Sequence, residues 1–254
     1  MAESITLKLT PQVAAVLRLG ETCLVHAQRL AEWSGHGPVL EEDIALSNMA
    51  LDLLGQARAL LTHAGRLEGQ GFDEDQLAFL RDERQFFNLT LVEQPMRRSS
   101  AHAPGGDFAD AVLRNYLLSS WLKLLWTQML DAPDQQLAGI AGKALKEARY
   151  HRQHAGDWVV RLGDGSQQSA ARMQAAVHRA WPYTSEMFVG DPAWPALREP
   201  WLADVCAVFG TALLVMPETT PFISTGSQGL HSEHMGFILA EMQSLQRQHP
   251  GGRW

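Results

Sequence analysis

The sequence predicts an all-α protein built as a bundle of long helices. Apolar residues recur at steps of three and four along most of the 254 residues, which is the spacing of one helix face. No segment of useful length alternates apolar and polar residues as a half-buried strand does. Four of the predicted helices exceed about 20 residues, against a mean of about 11–12 in globular proteins. Long helices with short connections favour antiparallel hairpins packed side by side.

Local signals set the ends of the helices. Thr10 and Pro11 form an N-cap followed by proline at the first helical position, which opens the first helix. A stripe of apolar residues predicts the second helix over residues 40–66, and Asp73 with Gln76 forms a capping-box pattern that opens a third. The remaining predicted helices span residues 107–130, 134–162, 169–181, 197–216 and 230–248. No linker or repeat interrupts the pattern, so we expect one domain over residues 1–254, in which additional C-terminal helices join the bundle.

Composition excludes several classes of protein. Hydrophobic residues make up 46% of the chain, enough for a large core with apolar surface left over for a partner. Disordered chains combine low hydrophobicity with high net charge, so disorder is excluded. The 21 basic and 28 acidic residues give a net charge of −7, which argues against a general nucleic-acid or membrane-surface binder. Local basic spots at Arg81–Arg84 and Arg97–Arg98 could still meet a phosphate.

Cysteine content and the absence of targeting signals point to the cytoplasm. Cys23 and Cys206 are too few for a disulfide framework or a zinc ribbon, and Cys206 lies in an apolar stretch where a buried free thiol is expected. The first residues lack the basic-then-apolar layout of a signal peptide. The longest uncharged apolar stretch, residues 205–216, is too short to cross a bilayer. We therefore expect a soluble cytoplasmic protein.

A bundle of long helices raises the question of a carboxylate di-iron site. Such a site takes one Glu from each of two helices and a Glu-x-x-His motif from each of the other two. The predicted helix 134–162 supplies Glu147, His151 and His154, whose spacing places them on one face. The strict Glu-x-x-His register, however, falls on Tyr150.

The other helices supply fewer ligands. Asp52 on the second helix is followed by Gly55 and Gln56 at the two positions where a histidine would share its face. Helix 107–130 contains no Asp, Glu or His from residue 111 to residue 130. Two iron ions need several anionic oxygens to offset their charge. The first helix could fill a single-carboxylate position with Glu21, His26 or Glu32.

These observations favour a polar network over a metal centre. We expect this chain to hold no catalytic residue and no metal, and to pair its polar side chains in a buried or interfacial network. The network consists of Asn48, Asp52, Gln56, Glu147, His151 and His154. The alternative is a free-standing metal oxidase with a degenerate site formed by Glu32, Asp52, Glu147, His151 and His154.

Two further clusters have both a functional and a structural interpretation. The amides of Gln85 and Asn88 could bond a ligand while Phe86 and Phe87 pack against it, which makes these four residues the candidate substrate contact. The alternative is a helix with a charged, solvated start and a buried aromatic middle. The histidine pair of the segment 231–234 suggests a metal site, although a hydrogen-bond cluster at a helix start is the commoner use.

Several blocks of sequence, spread over nearly the whole chain, resemble one family. They include Glu32-Trp-Ser-Gly-His-Gly-Pro38 and Lys146-Glu-Ala-Arg-Tyr-His151, with further matches at residues 42–46, 51–58, 81–86, 92–95, 161–165 and 229–254. The sequence is similar to the C subunits of bacterial phenylacetyl-CoA ring epoxidases. The residues 97–102 depart from the pattern by lengthening the loop before helix 107–130.

The resemblance implies a ferritin-like fold and a role in a multicomponent oxygenase of phenylacetate catabolism. It implies a complex that epoxidises the ring of phenylacetyl-CoA with O2 and with electrons from a separate reductase that uses NADPH, FAD and an Fe–S centre. The di-iron centre would belong to a related catalytic subunit, and this chain would be the structural subunit that pairs with it. The chain would itself carry no cofactor. It would either contact the CoA thioester through residues 85–88 or serve only as an assembly scaffold.

Overall fold

The computed structural model describes residues 4–96, 107–218 and 221–252, and over these ranges it contains helices and no β-strand. The predicted all-α, ferritin-like long-helix bundle is confirmed. The helices are α1 (Pro11–Ala31), α2 (Leu40–Glu68), α3 (Glu74–Phe79), α4 (Thr90–Glu93), α5 (Phe108–Met129), α6 (Gln135–Gly163), α7 (Gln167–Ala180), α8 (Arg198–Thr211) and α9 (Met235–Gln248). Short 3-10 turns occupy Glu83–Gln85, Trp181–Phe188, Trp194–Leu197 and Gly226–Gln228.

Two long hairpins form the body of the protein. α1 packs along α2 and α5 packs along α6, while α2 and α6 close one side of the bundle. α5 is buried on every side over most of its length, because α7 and α8 cover the faces that α6 leaves free. α8 is held against α5 by Trp201, whose indole Nε1 donates to the carbonyl oxygen of Leu117 at 3.0 Å. The bundle interior is therefore closed off from solvent by helices that follow α6 in the chain.

The predicted helix ends are set by the expected caps. The Thr10 hydroxyl accepts a hydrogen bond from the backbone N–H of Val13 at 3.2 Å, and Pro11 follows it. Asp73 and Gln76 form the complete capping box that opens α3. Gly69 ends α2 in the left-handed conformation, at φ 82°, which glycine adopts without strain.

Residues 81–88 differ from the helical alternative, since they contain one 3-10 turn followed by extended chain. Side chains of α1 take the backbone N–H groups that would otherwise extend a helix. The carboxylate of Glu21 accepts from the N–H of Phe87, and the Thr22 hydroxyl accepts from the N–H of Leu89. The segment is consequently fastened to α1 instead of coiling on itself.

The expectation of a buried Cys206 is wrong, since this thiol is exposed and Cys23 is the buried one. On α8 the buried side chains are Trp201, Val205 and Phe209, which repeat every four residues. Cys206 is one position beyond this stripe and therefore points outwards. In the sequence, the uncharged apolar stretch 205–216 shows no polar face, so the exposed side of the helix could not be recognised there.

Two further expectations concern the loop before α5 and segments that could cross a membrane. The loop at residues 97–102 lies outside the described residues. No helix among the residues that the structure describes is both long and apolar enough to cross a bilayer.

Two glycines of α6 offer a matched test of how tightly the C-terminal part packs on the bundle. A Cβ on Gly163 would lie 2.3 Å from the carbonyl oxygen of Ala212, whereas a Cβ on Gly139 would meet nothing within 4 Å. We expect Gly163→Ala to lower the free energy of unfolding by about 2 kcal/mol through overpacking. Gly139→Ala should raise it by about 0.5–1 kcal/mol, because alanine favours the helix. Urea denaturation of both variants checks the pair, and equal effects would contradict the close contact.

Candidate functional site

The side chains singled out on α2 and α6 meet across the groove between these helices. The Nε2 atom of His151 lies 3.0 Å from Oδ2 of Asp52, and the Gln56 amide donates to Oε2 of Glu147 at 2.9 Å. Because the two helices run antiparallel, the later residue of α2 (Gln56) pairs with the earlier residue of α6 (Glu147). The sequence analysis places these four residues in one network by helix face and leaves the two pairs unassigned.

A third pair along the same groove includes a residue that the sequence analysis missed. His154 Nε2 lies 2.9 Å from Oε2 of Glu42, in the first turn of α2. Acidic residues crowd that turn, and this is the pattern of a helix start, so nothing marked Glu42 as a partner. Asn48 is solvent-exposed on α2 and lies outside these three pairs.

Deeper between the four long helices lie a histidine, two amides and a thiol. His26 Nε2 lies 3.4 Å from Oδ1 of Asn115, which joins α1 to α5, and Cys23 Sγ donates to Gln56 Oε1 at 3.7 Å. Burial and the nearby Arg114 lower the pKa of His26 to about 3. Burial and the charge of Glu147 raise the pKa of the Cys23 thiol to about 12. At neutral pH the centre of the bundle therefore contains an uncharged imidazole and a protonated thiol.

This donor set does not fit a di-iron centre. In the α2–α6 groove Asp52 and Glu42 each face one histidine, while Glu147 accepts from Gln56 and faces Lys143 at 3.8 Å. Within residues 4–96, 107–218 and 221–252 no group of three or more His, Cys, Asp or Glu side chains could hold a metal ion. Glu32 sits at the end of α1 and forms an ion pair with Arg29 at 2.6 Å. At Gly55 the chain offers no ligand and leaves open space, part of a cavity of about 220 Å³ beside Glu147. Two iron ions would lack the anionic oxygens they require.

Glu21 serves a structural purpose on α1. Its carboxylate forms a fully buried ion pair with Arg81 at 2.6 Å and also accepts from the N–H of Phe87. The Arg81 guanidinium lies over the ring of Phe86, 4.4 Å from its centroid. The expectation of a phosphate-binding spot at this arginine is wrong, because the side chain has no exposed surface, while Arg84 remains in solvent.

The candidate substrate contact at residues 85–88 is occupied by internal contacts. The Gln85 amide donates to the carbonyl oxygen of Ile5 at 2.9 Å, and its oxygen accepts from the N–H of Asp82. Phe86 and Asn88 are fully buried, while Gln85 and Phe87 are part-exposed. The contact with a CoA thioester stays a prediction, and in this structure it would fall to those two part-exposed side chains.

Two further buried carboxylates organise the segments around this stretch. Glu93 accepts from the Asn88 amide at 2.9 Å and from the backbone N–H of Ser232 at 2.8 Å. Glu186 accepts from the N–H of Thr90 at 2.9 Å and from the N–H of Ser227 at 2.6 Å. Both lie beside apolar residues in the sequence, and a charged residue in such a place is the one signal that could have revealed them.

His231 is a further donor to Glu93, and its surroundings differ from those of His234. Its Nδ1 lies 2.6 Å from Oε1 of Glu93 and its Nε2 lies 2.9 Å from the carbonyl oxygen of Phe86, so both ring nitrogens face acceptors. Burial works against the charged form, but the hydrogen bond and charge of Glu93 outweigh it and raise the pKa of His231. His234 lies just before α9 and faces Glu233 at 3.9 Å, and among the described residues neither histidine belongs to a metal-binding group.

The raised pKa of His231 predicts a specific pH dependence of stability. The imidazolium form is favoured in the folded state, so its stabilisation is complete below the ordinary pKa of 6.5 and is lost as pH rises through the folded-state pKa. At pH 6 we expect His231→Gln to lower the free energy of unfolding by about 2 kcal/mol, since a charge-assisted hydrogen bond is lost. The difference from wild type should shrink steadily towards pH 9 in urea denaturation. The exposed His178→Gln should leave the profile unchanged; a constant difference for His231→Gln would refute the charged form.

Comparison with known proteins places this geometry in a family. The chain matches the family described as phenylacetic acid catabolic protein over residues 2–254. It is 47% identical over 253 residues to the C subunit of the 1,2-phenylacetyl-CoA epoxidase of Escherichia coli (strain K12), a match that covers 95% of this chain and 98% of that protein. The match extends through the α2–α6 groove and through the segments that Glu93 and Glu186 hold together. The chain therefore belongs to the phenylacetic acid catabolic protein family.

Proposed function

We propose that this chain is the structural subunit of a phenylacetyl-CoA epoxidase complex, where it pairs with and stabilises a catalytic di-iron subunit. The observation that carries the proposal is the pairing of the groove side chains on α2 and α6, which leaves Glu42, Asp52 and Glu147 of this groove already occupied by other partners. The relative in Escherichia coli is named a subunit of that epoxidase, which supports the assignment to a complex.

In such a complex this chain's residues contribute rigidity instead of chemistry. The iron of the catalytic subunit would supply oxygen activation, with electrons delivered by a reductase that carries NADPH, FAD and an Fe–S centre. The pairs formed by His151 with Asp52 and by His154 with Glu42 fix α2 against α6. A helix pair fixed in this way presents one defined surface to its neighbour, which lowers the entropic cost of association.

An apolar stripe along α2 supports the existence of a partner. Leu40, Ile44, Leu51 and Leu54 are separated by four, seven and three residues, so they share one helix face, and all four are exposed. Tyr150 on α6 is also exposed. Contiguous apolar patches on a soluble protein mark interaction sites. We assign this stripe to the contact with the catalytic subunit.

A pure assembly scaffold that never meets substrate is the second form of the same role. It is favoured by the internal contacts of residues 85–88, in which Phe86 and Asn88 are wholly buried. A contact with the CoA thioester would instead have to use Gln85 and Phe87 from the edge of the same segment. Both forms share the pairing with a catalytic subunit.

Metal content tests the proposal directly. We expect the chain purified alone from iron-rich medium to contain no stoichiometric iron by mass spectrometry, because its carboxylates are paired. Iron should appear in the co-purified complex at the level set by the catalytic subunit. About two irons per chain in the isolated protein, lost in His151→Ala, would establish a free-standing oxidase instead.

The apolar stripe on α2 gives a second test. Leu51→Asp and Leu54→Asp should leave the stability of the isolated chain within about 0.5 kcal/mol, since both side chains are exposed. Each should weaken co-purification with the catalytic subunit at least tenfold, because a charge would be buried in an apolar interface. Phe237→Asp is the matched control, an equally exposed apolar residue on α9. Equal losses in all three variants would contradict the stripe as the specific contact.

A further inference from the structure

A separate cavity lies between α4, α5 and α7. It has a volume of about 420 Å³, within the range of small-molecule sites. Leu91, Pro95, Ala180 and Tyr183 give it apolar walls, and Arg114 lies in its lining. None of the polar pairs of the α2–α6 groove takes part in this cavity.

Arg114 is buried and poorly paired. Only 3% of its surface is exposed, and its Nη2 donates one long hydrogen bond, 3.3 Å, to the carbonyl oxygen of Pro95 in the cavity wall. Among the residues that the structure describes, its Nη1 has no hydrogen-bond partner. Within the described parts of the chain no carboxylate forms an ion pair with it. A buried guanidinium with so few partners costs free energy unless an anion meets it.

The neighbouring charges do not supply that anion. Asp110 accepts two hydrogen bonds from Arg179, each 2.8 Å long, and Glu32 is paired with Arg29 at 2.6 Å. Arg29 also repels Arg114, and burial together with this repulsion lowers the pKa of Arg114 to about 9. Asp110 and Glu32 are therefore each paired with another guanidinium group. The rim residue Glu233 is exposed and faces His234 at 3.9 Å, so among the described residues none of these carboxylates forms an ion pair with Arg114.

We propose that this cavity binds a small organic carboxylate, with the carboxylate against Arg114 and an apolar body against Leu91, Pro95 and Tyr183. A guanidinium is the side chain best suited to a planar carboxylate, and the apolar walls favour a ligand with hydrocarbon surface. One unpaired guanidinium suits a monoanion. A second negative charge would face Asp110 and the rim residue Glu233, so inorganic phosphate fits less well. This site is independent of the proposed pairing with a catalytic subunit.

Calorimetric titration of the full chain with sodium benzoate tests the site. We expect saturable binding of one benzoate per chain, at least tenfold tighter than that of inorganic phosphate at the same ionic strength. Arg114→Met should weaken benzoate binding at least tenfold. Because this substitution removes a poorly paired buried charge, the variant should melt no lower than wild type, which separates loss of the site from loss of the fold. Arg84→Met, at an exposed arginine outside the cavity, should bind as wild type does.

A second variant keeps the test independent of Arg114. Ala180→Phe adds a ring to the cavity wall and should abolish benzoate binding by filling the space, with the charge left in place. The proposal is overturned if benzoate gives no more heat than sodium chloride, or if either cavity variant binds like wild type. Phosphate binding as tight as that of benzoate would also overturn it, since the site would then select charge without the apolar body.

Discussion

Three carboxylates without solvent contact, Glu21, Glu93 and Glu186, hold together the parts of this protein that are not long helices. Each accepts from backbone N–H groups of the segments 86–93 or 224–232, which have no long helix or sheet of their own to satisfy them. A buried backbone group without a partner costs about as much as a lost hydrogen bond. The irregular part of the molecule is thus built around charged acceptors, whereas the bundle is built around apolar stripes.

The bundle combines a rigid centre with an exposed apolar face. α5 is enclosed by other helices and gives the protein a rigid centre, while α2 keeps one apolar face exposed. The groove between α2 and α6 is closed by three polar pairs, so its charges serve to fix the two helices. The polar groups of this groove therefore stabilise the packing of the two helices.

Helix periodicity and caps predicted the fold, and helix faces indicated the polar residues of the α2–α6 groove apart from Glu42. Both predictions depend on local spacing. Asp52, Gln56, Glu147 and His151 lie on helix faces that any antiparallel hairpin brings together. The partners of Glu93 could not be predicted in this way. Its contact with His231 joins positions 138 residues apart, and no periodicity relates two irregular segments. Cys206 shows the opposite failure, where apolar neighbours concealed a helix face that points to solvent.

The 138 positions that separate Glu93 from His231 along the sequence also set an order of events during synthesis. A chain emerging from the ribosome contains Glu21 on α1 and Glu93 on α4 long before residues 224–232 have been synthesised. Until those residues have been synthesised, Glu93 lacks its donors His231 and Ser232, and the surface around it stays open to water. Closure of this region therefore has to wait for the synthesis of residues 224–232, and a nascent chain that ends before them leaves exposed a surface of the kind that chaperones recognise.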